Sequence, residues 1–209
     1  MTIKLVLPML LMNLYANAGP LSIDKTSSFF AATTHRSGLL GFVGHEHGIS
    51  ANEWTATVVQ NPDAQSTSSV EIVVEAASLI VDTPESRKMA GLDAGGPSEE
   101  DRAKVKEKML GPDVLDVAHY PQIRFKSSGV KSGSSGLVIE GDFSLHGKTQ
   151  HISGIPIKVD QKKDGATHFA GGFKFHMSDY GITPPSGGGV VNVKDEMEIH
   201  FELTGRSSF

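Results

Sequence analysis

The sequence contains no cysteine, so it has no disulfide framework, thiol nucleophile or thiolate metal site. Long hydrophobic runs are also missing, because no apolar segment reaches the roughly 20 residues that a transmembrane helix needs. Basic residues are slightly fewer than acidic ones, so the net charge is −5. A weakly acidic chain of this kind argues against nucleic acid or an anionic membrane surface as the main partner. Without a long apolar run, no stable membrane insertion is expected.

The first eighteen residues have the pattern of a secretory signal peptide. Lys4 supplies a positive start, residues 5–14 form a short apolar segment, and Ala16-Asn17-Ala18 is a small-x-small cleavage site. We therefore expect cleavage near Ala18, which would leave a periplasmic or secreted protein. Residues 19–209 have a length that fits one domain with a substantial core.

Alternation of apolar and polar residues recurs along the chain and predicts antiparallel strands with one buried face. The clearest case is the segment 196–203, in which every second residue is apolar. About eight such strands are expected, and their apolar faces can be covered by packing sheet on sheet or by closing a barrel. The other strands are predicted near residues 28–34, 54–60, 70–76, 123–126, 137–146, 155–160 and 168–177.

One short helix is predicted before Gly111-Pro112. Ser98 is a favourable N-cap, and the three acidic residues at 99–101 suit the positive end of the helix dipole. The apolar side of this helix is narrow, which predicts a position on the surface or over an opening.

Two histidines lie close together in the glycine-rich segment 41–49. If this segment is extended, His45 and His47 point to the same side, in phase with Ile49. They can be wall residues at the mouth of a core, partners of a ligand's polar end, or ligands of Zn²⁺, Cu²⁺ or iron. A metal site needs further ligands, which could come from histidines near strand ends: His35, His119 and His151.

The sequence indicates no catalytic residues. It has no Gly-x-Ser-x-Gly motif, and Glu46 would point away from His45 on a regular strand. The glycines at 187–189 lack the lysine and helix of a phosphate-binding loop, so we interpret them as a turn. The chain is therefore not expected to be an enzyme.

Several segments together resemble the YceI-like family of exported, lipocalin-like proteins associated with polyisoprenoid binding. The most distinctive are Tyr120-Pro121-Gln122-Ile123-Arg124-Phe125-Lys126-Ser127 and the later Leu145-His146-Gly147. The chain differs from the commonest family pattern at Gly44-His45-Glu46-His47-Gly48, which indicates a His-Glu-His branch, and it carries an extra segment at residues 91–108. The remaining similar segments are residues 22–24 with Phe29, 38–47, 110–119, 141–144, 178–184 and the last strand.

The resemblance implies an all-β fold, an antiparallel eight-stranded lipocalin-like barrel with one short helix. It also implies an apolar tunnel that holds a long isoprenoid lipid of the polyprenyl or quinone type, which the protein carries or sequesters. His45 and His47 would lie where the lipid's polar end can accept a hydrogen bond. From the inward strand phases, the predicted lining residues are Phe29, Val70, Ile72, Val74, Phe125, Leu137, Ile139, Phe143, Ile157, Phe173, Phe175, Met197, Ile199 and Phe201.

Two alternatives remain at this stage. The first is a metal- or haem-binding, redox-linked protein that uses His45 and His47 as ligands. The second is a β domain with a solid core whose outer surface binds a protein partner. The sequence also leaves open whether the chain forms a homodimer.

Overall fold

The computed structural model describes residues 19–37, 46–61, 64–134, 136–187 and 191–207. The predicted signal peptide at residues 1–18 and His45 lie outside these ranges. The described elements are β1 (Gly19–Ile23), β2 (Phe29–Ser37), β3 (Gly48–Ser50), β4 (Trp54–Gln60), β5 (Ser69–Glu75), β6 (Ile80–Val81), α1 (Pro84–Met89), α2 (Glu99–Leu110), β7 (Gln122–Gly133), β8 (Gly136–Leu145), β9 (Lys148–Gln161), β10 (Thr167–His176), β11 (Ser186–Gly187) and β12 (Val191–Ser207).

The strands close into an antiparallel barrel in which neighbours in sequence are neighbours in space. Three sides of the barrel each contain two short strands, β1 with β2, β3 with β4, and β5 with β6. The other five sides are β7, β8, β9, β10 and β12. The long strand β12 pairs with β10 on one side and with both β1 and β2 on the other, which closes the ring. The predicted eight-stranded barrel is confirmed.

Strand alternation determines which side chains point into the barrel. Directly paired residues of neighbouring strands lie on the same face of the sheet. The strand register therefore shows which residues of each strand point into the barrel. Phe30 is opposite Phe201, and Phe173 is opposite Ile199. The strand β4 has the bounds predicted from the sequence, and β5 differs from its prediction by one residue.

The predicted helix is α2. The side chain of Ser98 accepts a hydrogen bond from the backbone N of Asp101 at 3.2 Å, and Gly111 follows the last helical residue. No residue of α2 is fully buried, but Val105 and Met109 pack against the core. The helix therefore lies on the barrel with only a narrow apolar side in contact.

The short helix α1 was not predicted. The side chain of Thr83 accepts a hydrogen bond from the backbone N of Ser86 at 3.1 Å, and Pro84 occupies the first turn. This helix packs tightly on β3, where a Cβ atom at Gly48 would lie 2.7 Å from Cα of Arg87. Glycine thus permits the close approach. In the described part of the chain, neither helix has the length and apolar character of a membrane span.

A buried tyrosine packs against two phenylalanines that line the barrel. Tyr180 contacts Phe143 and Phe175 edge to face, with ring centroids 5.5 Å and 5.4 Å away. Its side chain is fully buried, and no described residue bonds its hydroxyl. Burial, with a smaller contribution from the charge of Asp179, raises the pKa of Tyr180 to about 12.

We expect the Tyr180→Phe variant to be more stable than the parent protein by about 1 kcal/mol, because burying an unsatisfied hydroxyl costs roughly 1–3 kcal/mol. Urea unfolding measures the difference. Tyr120→Phe is the matched control, since Tyr120 is exposed and its hydroxyl should contribute little. A loss of stability in Tyr180→Phe would instead show that the buried hydroxyl has a bonding partner.

Candidate ligand-binding cavity

The barrel encloses an apolar cavity of about 500 Å³. This volume lies within the range of about 300–1,000 Å³ found for small-molecule sites in proteins. Inward-facing aliphatic and aromatic side chains form most of the wall, and Val105 and Met109 of α2 contribute to it. The apolar faces of the strands therefore surround space instead of meeting in a solid core.

Most of the residues predicted to line a tunnel do face this cavity. Apart from His47, which precedes β3, they come from β5, β7, β8, β9, β10 and β12, so the cavity touches most sides of the barrel. Whether these residues contact a ligand stays a prediction. Those in the cavity wall are His47, Val70, Ile72, Val74, Phe125, Leu137, Ile139, Phe143, Ile157, Phe173, Phe175, Met197, Ile199 and Phe201.

The prediction for Phe29 was wrong, because its neighbour Phe30 lines the cavity instead. The register places Phe29 opposite Glu202, on the outer face, and Phe30 opposite Phe201, on the inner face. Because Phe29 and Phe30 are both phenylalanines, the sequence does not show which of them points into the barrel. An error of one residue moves every side chain of the strand to the opposite face. Phe30 also packs edge to face on Trp54, at a centroid distance of 5.0 Å.

Other wall residues were not predicted, although strand alternation indicates several of them. Some continue the alternation of predicted neighbours along the same strand. Others are small or lie in short strands without a clear period, such as Ala32 in β2. The missed residues include Phe30, Ala32, Thr34, Ile49, Val58, Leu145, Phe169, Met177 and Leu203.

His47 is the histidine of the predicted pair that the structure describes, and it is one of the residues that line the cavity. Its Nδ1 is 2.5 Å from Oδ2 of Asp82. The other oxygen of Asp82 accepts hydrogen bonds from the backbone N of Gly48 at 2.9 Å and from Nη1 of Arg87 at 3.0 Å. A chain of polar contacts thus connects the cavity to a charged pair beneath the wall.

The pair of Asp82 and Arg87 is almost completely buried between β3 and α1. Burial, the largest influence, raises the pKa of Asp82, but the hydrogen bonds from His47, Gly48 and Arg87 and the charge of His47 together outweigh burial. The pKa of this carboxyl therefore lies below its ordinary value of 3.8. Arg87 also donates to the carbonyl oxygens of Glu46 and Asp93, at 2.7 Å and 2.9 Å. No local pattern in the sequence predicts that Asp82 lies against His47, because the two residues are 35 positions apart.

The histidines considered as further metal ligands have carboxylate partners of their own. Nδ1 of His35 lies 3.2 Å from a carboxylate oxygen of Glu46. His119 pairs with Asp116 at 2.9 Å, and His151 pairs with Asp142 at 3.0 Å. Within the described ranges, no group of three or more His, Asp or Glu side chains is arranged to hold a metal ion. His45, the second proposed ligand, lies outside those ranges.

Two lysines of α2 lie at the edge of the cavity, and both are paired with acidic side chains. Nζ of Lys104 donates to Glu100 at 2.7 Å, and Nζ of Lys108 donates to Asp113. The charges at this edge are therefore balanced locally. Among the α2 side chains that line the cavity, none therefore offers an unpaired positive charge.

Curated proteins match part of this chain. The UPF0312 proteins of Pseudomonas savastanoi pv. phaseolicola and Pseudomonas syringae pv. syringae are each 34% identical over 95 residues, which cover 43% of this chain and 48% of theirs. The chain thus spans about half the length of the curated relatives it matches.

Solved structures share the fold. Burkholderia cenocepacia BcnA superposes with a TM-score of 0.64 at 21% identity, covering 88% of this chain and 99% of that one. The Campylobacter jejuni YCEI protein gives 0.55 at 15% identity, covering 77% and 85%. The family model described as YceI-like domain matches residues 21–205. The protein therefore belongs to the YceI-like family.

Proposed function

We propose that this protein binds one long isoprenoid lipid in its barrel cavity and carries or sequesters it in the periplasm. The observation that carries the proposal is the apolar cavity of about 500 Å³ inside a closed barrel. Membership of the YceI-like family supports an isoprenoid over other apolar ligands. Shielding the tail from water requires no catalytic group.

Burial of the tail provides the binding energy. Each methylene removed from water contributes about 0.8 kcal/mol before the costs of association. Net values for ligands of drug size are closer to 0.3 kcal/mol per heavy atom. An isoprene unit of five carbons therefore adds about 1.5 kcal/mol, or roughly a tenfold gain in affinity. This gain should continue until the tail is longer than the cavity.

A series of prenyl alcohols tests this proposal. Geraniol, farnesol and geranylgeraniol have the same polar end and differ by one isoprene unit at each step. We expect each unit to increase the affinity about tenfold until the cavity is filled. The chain's single tryptophan can report binding, because Trp54 packs on Phe30 in the cavity wall. Affinities that do not depend on tail length would contradict the proposal.

A further inference from the structure

One side of the barrel has an incomplete wall. The strand β5 pairs with β7 as far as Glu75, and β7 begins at Gln122, opposite Glu75. The chain then continues as β6, which pairs with β3 and with no other described strand. The sheet therefore has a gap beside β6. The helix α2 contacts β6, and its side chains line the cavity, so the helix completes the wall where a strand is missing.

The contacts of α2 with the barrel are few and apolar. Val105 and Met109 pack against the core and line the cavity, but no residue of the helix is fully buried. Within the described ranges, its side-chain hydrogen bonds and ion pairs all stay inside the segment 98–113, and none links it to a strand. Lifting α2 from the barrel would therefore mainly expose two apolar side chains.

The neighbouring helix α1 is attached to the barrel in a different way. Oγ1 of Thr33 in β2 donates a hydrogen bond to the carbonyl oxygen of Ala90, directly after α1, at 2.7 Å. Arg87 of α1 forms the buried ion pair with Asp82. Gly48 of β3 packs directly against the backbone of this helix. Polar bonds and close packing thus fix α1, whereas only a narrow apolar side holds α2.

The two ends of α2 also differ. Before the helix, residues 94–97 are mostly exposed and make no backbone hydrogen bond within the described ranges. This segment contains two glycines, which permit a wide range of backbone angles. After the helix, the backbone N of Leu115 donates to the carbonyl oxygen of Met109 at 3.0 Å, and Val114 is buried. The C-terminal end is therefore fixed, and the N-terminal end is free to swing.

We propose that α2 is a lid, which swings about its C-terminal end and opens a side entrance to the cavity beside β6. A ligand held inside a closed barrel needs an entrance, and a weakly held segment can open without unfolding of the whole domain. The inference rests on the proposed isoprenoid binding for what passes through the entrance. The motion itself is a property of the helix and its contacts.

The absence of cysteine allows the motion to be measured without a ligand. Leu79→Cys places a thiol in the cavity wall just before β6, at a position that is almost fully buried. Its rate of reaction with N-ethylmaleimide reports how often the cavity opens. Val105→Asn removes apolar contact and should increase this rate about fivefold or more. Lys104→Leu adds apolar contact at the cavity edge and should decrease it.

Two controls separate lid opening from general loosening of the fold. Ala103→Asn changes an exposed position of the same helix and should leave the rate unchanged. Val130→Cys places the thiol in the cavity wall further along β7, away from Glu75 and the gap, and its rate should not respond to Val105→Asn. An equal response at both thiols would overturn the lid, as would a thiol at position 79 that responds to neither α2 variant.

The kinetics of farnesol binding test the entrance. Stopped-flow mixing followed by Trp54 fluorescence gives the association and dissociation rates. Because a ligand passes an entrance in both directions, Val105→Asn should increase both rates about fivefold, and the dissociation constant should change less than about threefold. Lys104→Leu should decrease both rates, which keeps the test decisive if Val105→Asn disturbs folding. A change in the dissociation rate alone is the usual result of a lost contact and would overturn the entrance.

The two measurements separate this inference from the function on which it rests. If farnesol does not bind while the thiol rates respond as expected, the isoprenoid function is overturned and the lid remains. If farnesol binds with rates that neither α2 variant changes, the entrance at α2 is overturned and the isoprenoid function remains.

Discussion

The Ala32→Trp variant is expected to bind isoprenoids at least a hundredfold more weakly than the parent protein. Ala32 lies in β2, opposite Ile49 on one side and Ile199 on the other, and all three residues line the cavity. An indole at this position occupies space that the proposed tail requires. If about ten tail atoms are displaced, the loss at roughly 0.3 kcal/mol per atom is about 3 kcal/mol.

This substitution should leave the fold intact, because the indole enters open space and not a filled core. Any overpacking cost should remain within about 1–3 kcal/mol. Thr57→Trp introduces the same side chain on the exposed face of β4 and serves as the matched control. Calorimetric titration with farnesol measures both variants. Unchanged affinity in a folded Ala32→Trp protein would show that the lipid binds elsewhere.

The Arg87→Met variant is expected to lose about 3–5 kcal/mol of stability. Removing one partner of a buried ion pair leaves the other charge uncompensated, and this penalty exceeds the value of the pair itself. Asp82 would retain only hydrogen bonds from His47 and Gly48. Lys88→Met is the control, since Lys88 is an exposed basic residue in the same helix.

A double-mutant cycle separates the charge effect from lost packing. Asp82→Asn keeps the size of the side chain, and asparagine tolerates the positive φ of 53° at this position. The variant that combines Asp82→Asn with Arg87→Met should be destabilised by less than the sum of the single changes, with a coupling of about 2 kcal/mol. Urea unfolding followed by Trp54 fluorescence provides the values. Additive effects would contradict a coupled ion pair.

The same pair predicts how stability depends on pH. Because the pKa of Asp82 is lowered in the folded protein, its contribution is present above the ordinary value of 3.8 and is lost as the pH falls through the folded value. In Arg87→Met, protonation of Asp82 removes the uncompensated charge. The stability difference between the parent protein and Arg87→Met should therefore shrink as the pH is lowered from 6 to 3. A stability difference that does not change with pH would show that it does not arise from the charge of Asp82.

Alternation along single strands allowed most of the barrel and most of its wall to be predicted. The phase of β12 is clear because apolar and polar residues alternate without interruption from Glu196 to Leu203. The phase of β2 is unclear because Phe29 and Phe30 are both aromatic. Only the pairing with β12 distinguishes them, and pairing between distant strands is not a local property of sequence.

Asp82 and Arg87 could not be predicted because their role depends on contacts between distant segments. In the sequence, they resemble ordinary charged residues near a turn. In the fold, α1 packs onto Gly48 and brings both side chains behind His47. The start of α1 did carry a local signal, since Thr83 followed by Pro84 is a common way to begin a helix.

The most direct test of the central claim is mass spectrometry of an organic extract of the protein purified from its native host. The account predicts about one isoprenoid molecule per chain in the extract. It also predicts that the same extract of the Ala32→Trp variant contains little of that lipid. An extract of the parent protein without a stoichiometric isoprenoid would contradict the claim that this barrel is a lipid-binding container.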